Sequence, residues 1–112
     1  MENPVQNQTS NPGASSNGAE DALYEAFATL QGPQEWRRFL TDLCTPAEMR
    51  ALAARWQVAQ LLDEGQLSYR EISERTGAST TTVGRVARFL FEEPHHGYRL
   101  ALDRVAEKEA GA

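Results

Sequence analysis

A single cysteine, Cys44, is present, which rules out an intramolecular disulfide and any multi-cysteine zinc site. It sits among apolar neighbours and has no basic partner at helical spacing, so it is expected to be buried and inert. The only two histidines, His95 and His96, are adjacent and therefore point apart. No nearby ligand set makes a metal site, and the pair reads as a polar loop. Basic charge is also short. Eleven Lys and Arg stand against sixteen Asp and Glu, a net charge of −5, which argues against a histone-like binder of nucleic acid. No apolar run approaches the roughly 18 residues of a membrane span. The opening Met-Glu-Asn-Pro has neither the basic nor the apolar stretch of a secretory signal. A small cytoplasmic protein is expected, with no catalytic constellation, metal or cofactor.

The 112 residues amount to one domain, but they are not uniform. Residues 1–19 are mostly Asn, Gln, Ser, Thr, Gly and Pro, without Lys or Arg. Such a segment buries too little apolar surface to offset the entropy of ordering it. It reads as a disordered N-terminal arm ahead of a helical domain over 20–108. Charge is uneven as well. Between Ser68 and Leu90, four arginines (Arg70, Arg75, Arg85, Arg88) face two glutamates (Glu71, Glu74), a local +2. A phosphate backbone responds to charge within a Debye length of about 8–10 Å, so a mildly acidic protein with a locally basic face is compatible with DNA binding.

From residue 20 onward the apolar positions follow a helical period, and no segment alternates as a strand does. A first helix is expected over about 20–31, with Leu23, Phe27 and Leu30 on one face and Tyr24 beside them. Gly32-Pro33 interrupts it. A second, over about 34–43, carries Trp36, Phe39, Leu40 and Leu43. Thr45-Pro46-Ala47-Glu48 is a capping box with proline at the first helical position. It opens a third helix to about Asp63, with Leu52, Trp56, Ala59 and Leu62 apolar and Gly65 as its stop. A second box, Ser68-Tyr69-Arg70-Glu71, opens a short helix over about 69–76. Ser79 caps a fifth helix to about Phe91, and Tyr98–Lys108 forms a sixth, with Leu100, Leu102 and Val105 apolar. The fold class is all-α, six helices on short loops.

Residues 68–91 read as a helix-turn-helix. Two short helices at a steep angle need a turn residue free to take positive φ, which Gly77 supplies. Ile72 and Val83 are placed to pack across that turn, and Ser73 is small where the helices approach. Thr80, Thr81 and Thr82 occupy the first turn of the second helix, whose side chains reach base edges in this motif. Hydroxyls bond bases or phosphates, and a threonine methyl can meet a thymine methyl. Arg70 is placed for a phosphate or a guanine edge, and Arg85 and Arg88 lie further along. Gly84 is unexpected, because a mid-helix glycine costs roughly 0.5–1 kcal/mol relative to alanine. It fits either a close backbone approach or a helix that orders on binding.

These residues resemble a known family. Thr45-Pro46-Ala47-Glu48, the helix through Arg55, and Gly65-x-x-Ser68-x-Arg70-Glu71 followed by Gly77-Ala78 are similar to the Trp-repressor superfamily. Asp42-Leu43-Cys44-Thr45, Ala51-Leu52-Ala53-x-Arg55, Thr76-Gly77-Ala78-Ser79-Thr80, Arg85-Val86 and Gly97-Tyr98-Arg99 resemble its YerC/YecD branch. The likeness spans about 20–106. It implies an intertwined homodimer that presents two recognition helices to successive major grooves. It carries over Tyr69, Arg70, Ser73, Ser79, Thr80, Thr81, Thr82 and Gly84 as DNA-contacting positions. Gly84 replaces a threonine, so the operator should differ. The family's L-tryptophan site is matched at Thr45, Arg55 and Arg85. Val86, however, stands where that site has glycine, and Phe89 where it has serine. Overfilling a fixed pocket is expensive, so tryptophan is not expected to bind, and no effector is identified.

The leading expectation is a homodimeric regulator, a repressor in role, that reads a palindromic operator in double-stranded DNA through residues 79–91. Leu23, Tyr24, Phe27, Trp36, Phe39 and Trp56 are a large apolar load for one chain, and exchange of helices between protomers would bury them as a dimer core. The alternative is a helical adaptor of the transcription machinery without specific DNA readout. It would lack the strong salt dependence of DNA binding.

Overall fold

The computed structural model describes residues 12–111. Six helices follow in order: α1 (Pro12–Ala28), α2 (Gly32–Leu43), α3 (Pro46–Glu64), α4 (Tyr69–Thr76), α5 (Thr80–Phe91) and α6 (Gly97–Gly111). No strand occurs among the described residues, so the all-α expectation holds.

Helix α1 begins at Pro12, so residues 12–19 are helical rather than part of a disordered segment. Extending an existing helix fixes one residue for one hydrogen bond, which is far cheaper than nucleating a new one. Proline is also well suited to a first helical position. The expectation for residues 1–11 lies outside the described residues. Helix α2 begins two residues early, at Gly32, with Pro33 in its first turn. There the Glu35 carboxylate accepts the Gln31 N–H at 2.8 Å.

The chain divides into two units, residues 1–43 and 44–112. In the first, the Phe27 ring stacks on Trp36 at 4.8 Å and meets Phe39 edge-on at 5.8 Å. Even so, none of the side chains described between 18 and 43 is buried, and Tyr24 is 61% exposed.

The second unit holds the core. Both capping boxes form as their sequences require. The Thr45 hydroxyl accepts the Glu48 N–H at 3.1 Å while Glu48 accepts the Thr45 N–H at 2.8 Å. Ser68 and Glu71 repeat the exchange at 3.1 and 2.8 Å. Gly65 and Gly77 end α3 and α4 in the left-handed region, at φ 74° and 80°. Helix α5 packs against α3, α4 and α6. It contributes Val83, Val86, Ala87 and Leu90 to a core completed by Val58, Ala59, Leu62, Ile72 and Leu102. Ile72 and Val83 are both fully buried, as the pairing across the turn requires. Arg99 of α6 donates to Asp63 of α3 at 2.9 Å and to Asp103 at 3.0 Å.

Three packing expectations change. Leu100 and Val105 are exposed and only Leu102 of that stripe is buried, where it joins the core beside α5. Leu52 is exposed. Cys44 is half-buried rather than buried, since it lies in the turn after α2 rather than inside a helix.

Candidate nucleic-acid interface

The turn between α4 and α5 is held by its own side chains. Ser73 Oγ donates to the Ala78 carbonyl at 2.6 Å. Thr76 Oγ1 donates to the Ile72 carbonyl at 2.8 Å and accepts the Ala78 N–H at 3.2 Å. The Ser79 hydroxyl caps α5 by accepting the Thr82 N–H at 3.0 Å, and donates to Thr82 Oγ1 at 3.1 Å. Ser73, Ser79 and Thr82 are therefore engaged in building the turn. Ser73 and Thr82 are half-buried. The family resemblance carries all three over as DNA-contacting positions, and a sequence motif does not reveal a hydroxyl's partner.

The remaining residues gather on one side of α5. At 100° per residue, Thr80, Thr81, Gly84, Arg85 and Arg88 fall within an arc of about 140°, opposite the buried Val83, Val86, Ala87 and Leu90. Thr80, Thr81, Arg85 and Arg88 are exposed, and Gly84, near the middle of the arc, is half-buried. A Cβ built on Gly84 meets nothing within 4 Å, so no neighbouring helix of this chain explains the glycine. Tyr69 and Arg70 open α4. Tyr69 is 48% exposed. The Arg70 side chain is 87% exposed, with only a loose 3.8 Å approach to Glu74. Arg88 is less free, because its Nε lies 3.4 Å from Glu93.

Beyond Arg85 the surface forms a cleft of about 410 Å³ lined by Arg55, Arg85, Val86, Phe89, His95, Gly97 and Tyr98. The Arg85 guanidinium sits 4.3 Å above the Phe89 ring, and Arg88 lies 5.1 Å from it. The His95 ring stacks on Phe89 at 5.9 Å, inclined by 14°. Arg55 and Arg85 are thus brought together, whereas Thr45 does not line this cleft and serves as a helix cap. Val86 is nearly fully buried in the core. His95 and Tyr98 were not foreseen as lining residues. The only signal was Tyr98 within the Gly97-Tyr98-Arg99 motif. Trp56 packs against the core of its own chain.

Two carboxylates near these elements titrate low. The Asp63 carboxyl is held below its usual range chiefly by the hydrogen bond from Arg99, with that guanidinium's charge helping and burial opposing. Glu71 is held low first by the Ser68 N–H and then by the Ser68 hydroxyl, with burial opposing and the Arg75 charge assisting. Among the described residues no group of three or more His, Cys, Asp or Glu is placed to hold a metal ion, and no helix is long and apolar enough to cross a membrane.

Comparison with known proteins places this geometry. The family model for the Trp repressor protein matches residues 19–106. The chain is 44% identical over 89 residues to the uncharacterized protein YerC of Bacillus subtilis (strain 168), covering 80% of this chain and 84% of that one. It is 31% identical over 88 residues to a Trp operon repressor homolog of Vibrio parahaemolyticus, covering 76% and 85%. A crystal structure of a TrpR-like protein from Eubacterium eligens superposes with a TM-score of 0.73 at 36% identity, covering 80% of this chain and 90% of that one.

Proposed function

This chain belongs to the Trp repressor family, in its YerC branch, and on that premise we propose that it is a homodimeric, sequence-specific DNA-binding regulator that represses transcription. The observation that carries this reading is the single exposed face of α5. Thr80, Thr81 and Arg85 are presented around Gly84, while the opposite face is locked into the core. Threonine hydroxyls and methyls read base edges, and Arg70 at the start of α4 contacts a phosphate or a guanine edge. Gly84 lets the groove edge approach the α5 backbone.

Dimerisation is supported by the first unit, where Leu23, Tyr24, Phe27, Trp36 and Phe39 are not buried in the single chain. A two-fold axis makes the operator palindromic, with half-sites about 34–36 Å apart. The protein acts in the cytoplasm, where its DNA lies. Its affinity for DNA does not require L-tryptophan. Phe89 already occupies the aromatic position against Arg85 and His95, so an indole stacked on Arg85 would have to displace it.

The test is genome-wide recovery of DNA crosslinked to the protein, with an Arg70→Ala, Thr81→Ala double variant alongside. Sharp sites that share an inverted repeat and vanish in the variant are expected. A folded, dimeric protein that enriches no sites would move the reading to a protein-binding adaptor.

A further inference from the structure

A second cleft, of about 390 Å³, opens between α3 and the helix-turn-helix turn. Its α3 wall is Arg50, Ala51, Ala54 and Arg55. At 100° per residue these positions lie across the helix in the order Arg50, Ala54, Ala51, Arg55, spanning about 140°. Two methyl side chains therefore form a floor, with a guanidinium at each edge. The opposite wall is the turn 76–79 with Thr82. No carboxylate lines the cleft. Among the described residues, neither Arg50 nor Arg55 makes an ion pair, although Arg70, Arg88 and Arg99 all do. Both are exposed.

Two exposed arginines without carboxylate partners among the described residues, flanking a strip of small residues, offer a receptor for a compact anion. Guanidinium groups suit phosphate because their planar fork donates two parallel hydrogen bonds. The turn on the far wall ends at Ser79, the cap of α5. An anion here lies at the positive end of that helix, beside the first-turn threonines.

We propose that this cleft seats a phosphodiester of the DNA backbone, with Arg50 and Arg55 as its clamps. The proposal rests on the DNA-binding reading above and adds Arg50, on a helix outside the helix-turn-helix, to the contacts. The seat positions α5 without reading sequence, since phosphate contacts fix register and base contacts specify.

The experiment measures binding of the full chain to a fluorescein-labelled duplex of random sequence by anisotropy, across a potassium chloride series. Wild type is compared with Arg50→Ala, Arg50→Lys and Arg104→Ala. Arg104 is exposed on α6 and outside the cleft, so it controls for loss of one positive charge. Each phosphate contact contributes about 0.9 to the slope of log affinity against log salt. Arg50→Ala is expected to reduce that slope by about 2 in a dimer with two seats. Arg50→Lys and Arg104→Ala should stay near wild type. A wild-type slope in Arg50→Ala, or an equal loss in Arg104→Ala, overturns the seat and leaves the DNA reading standing. Wild type that binds no duplex at any salt concentration overturns both.

Discussion

The Ser73 hydroxyl donates to the Ala78 carbonyl across the turn at 2.6 Å, tying the last turn of α4 to the residue before the α5 cap. Ser73→Ala leaves that half-buried carbonyl short of a partner. A loss of about 1 kcal/mol is expected, read by chemical denaturation. The DNA salt slope should not change, because the hydroxyl proton is already committed. A changed slope with unchanged stability would make Ser73 a DNA contact instead.

Two glycines should respond in opposite directions to the same substitution. Gly77 holds φ at 80°, whereas Gly84 lies inside α5, and neither would bring a Cβ within 4 Å of another group. Gly77→Ala is therefore strained without a clash and should cost about 1–2 kcal/mol. Gly84→Ala should raise stability by about 0.5–1 kcal/mol and weaken DNA binding if the groove edge approaches there. Thermal melts with parallel DNA titrations separate the two effects.

Acid should destabilise the second unit through Asp63 and Glu71. Both carboxyls are held low in the folded chain, so they favour folding fully above the unfolded carboxylate range of about 4. That contribution is lost as pH falls through the lowered folded values. Melting temperature should therefore drop on acidification below about pH 5. Asp63→Asn should lower it near neutrality and flatten the acid limb. An acid limb identical to wild type would remove the Arg99–Asp63 pair from the cause.

L-Tryptophan should leave the protein unchanged. With Phe89 packed against both Arg85 and His95, calorimetric titration of the amino acid is expected to give no saturable heat, and DNA affinity should be the same with and without it. Saturable binding would mean that Phe89 swings out of the slot.

The helices and their boundaries were legible where the determinants are local. Thr45, Glu48, Ser68, Glu71, Ser79, Gly65 and Gly77 act within four residues of their partners, and each cap and stop formed where its spacing placed it. The start of α1 was not legible, because polar composition argues against burial but not against extension of a helix. The apolar stripe of α6 was overread, since periodicity marks a face without saying how much of it a neighbour covers. Burial of Cys44 was overread because apolar neighbours in sequence do not enclose a residue that lies in a turn. Exposure and turn contacts around α5 were legible only in part. Spacing identified the exposed face of α5, but the inward hydrogen bonds of Ser73 and Thr82 depend on the turn's closed geometry. Both clefts join residues distant in sequence, Arg55 with Tyr98 and Arg50 with Thr82, and only tertiary packing brings these together.

The most direct test is selection of binding sites from a random duplex pool by the purified protein, without any added small molecule, beside Thr80→Ala and Thr81→Ala variants. The expected result is an inverted repeat with half-sites about one helical turn apart. Each threonine variant should relax the preference at its own base positions, by about 1–3 kcal/mol. A folded dimer that selects no sequence, or threonine variants that select the wild-type repeat unchanged, would contradict readout through α5.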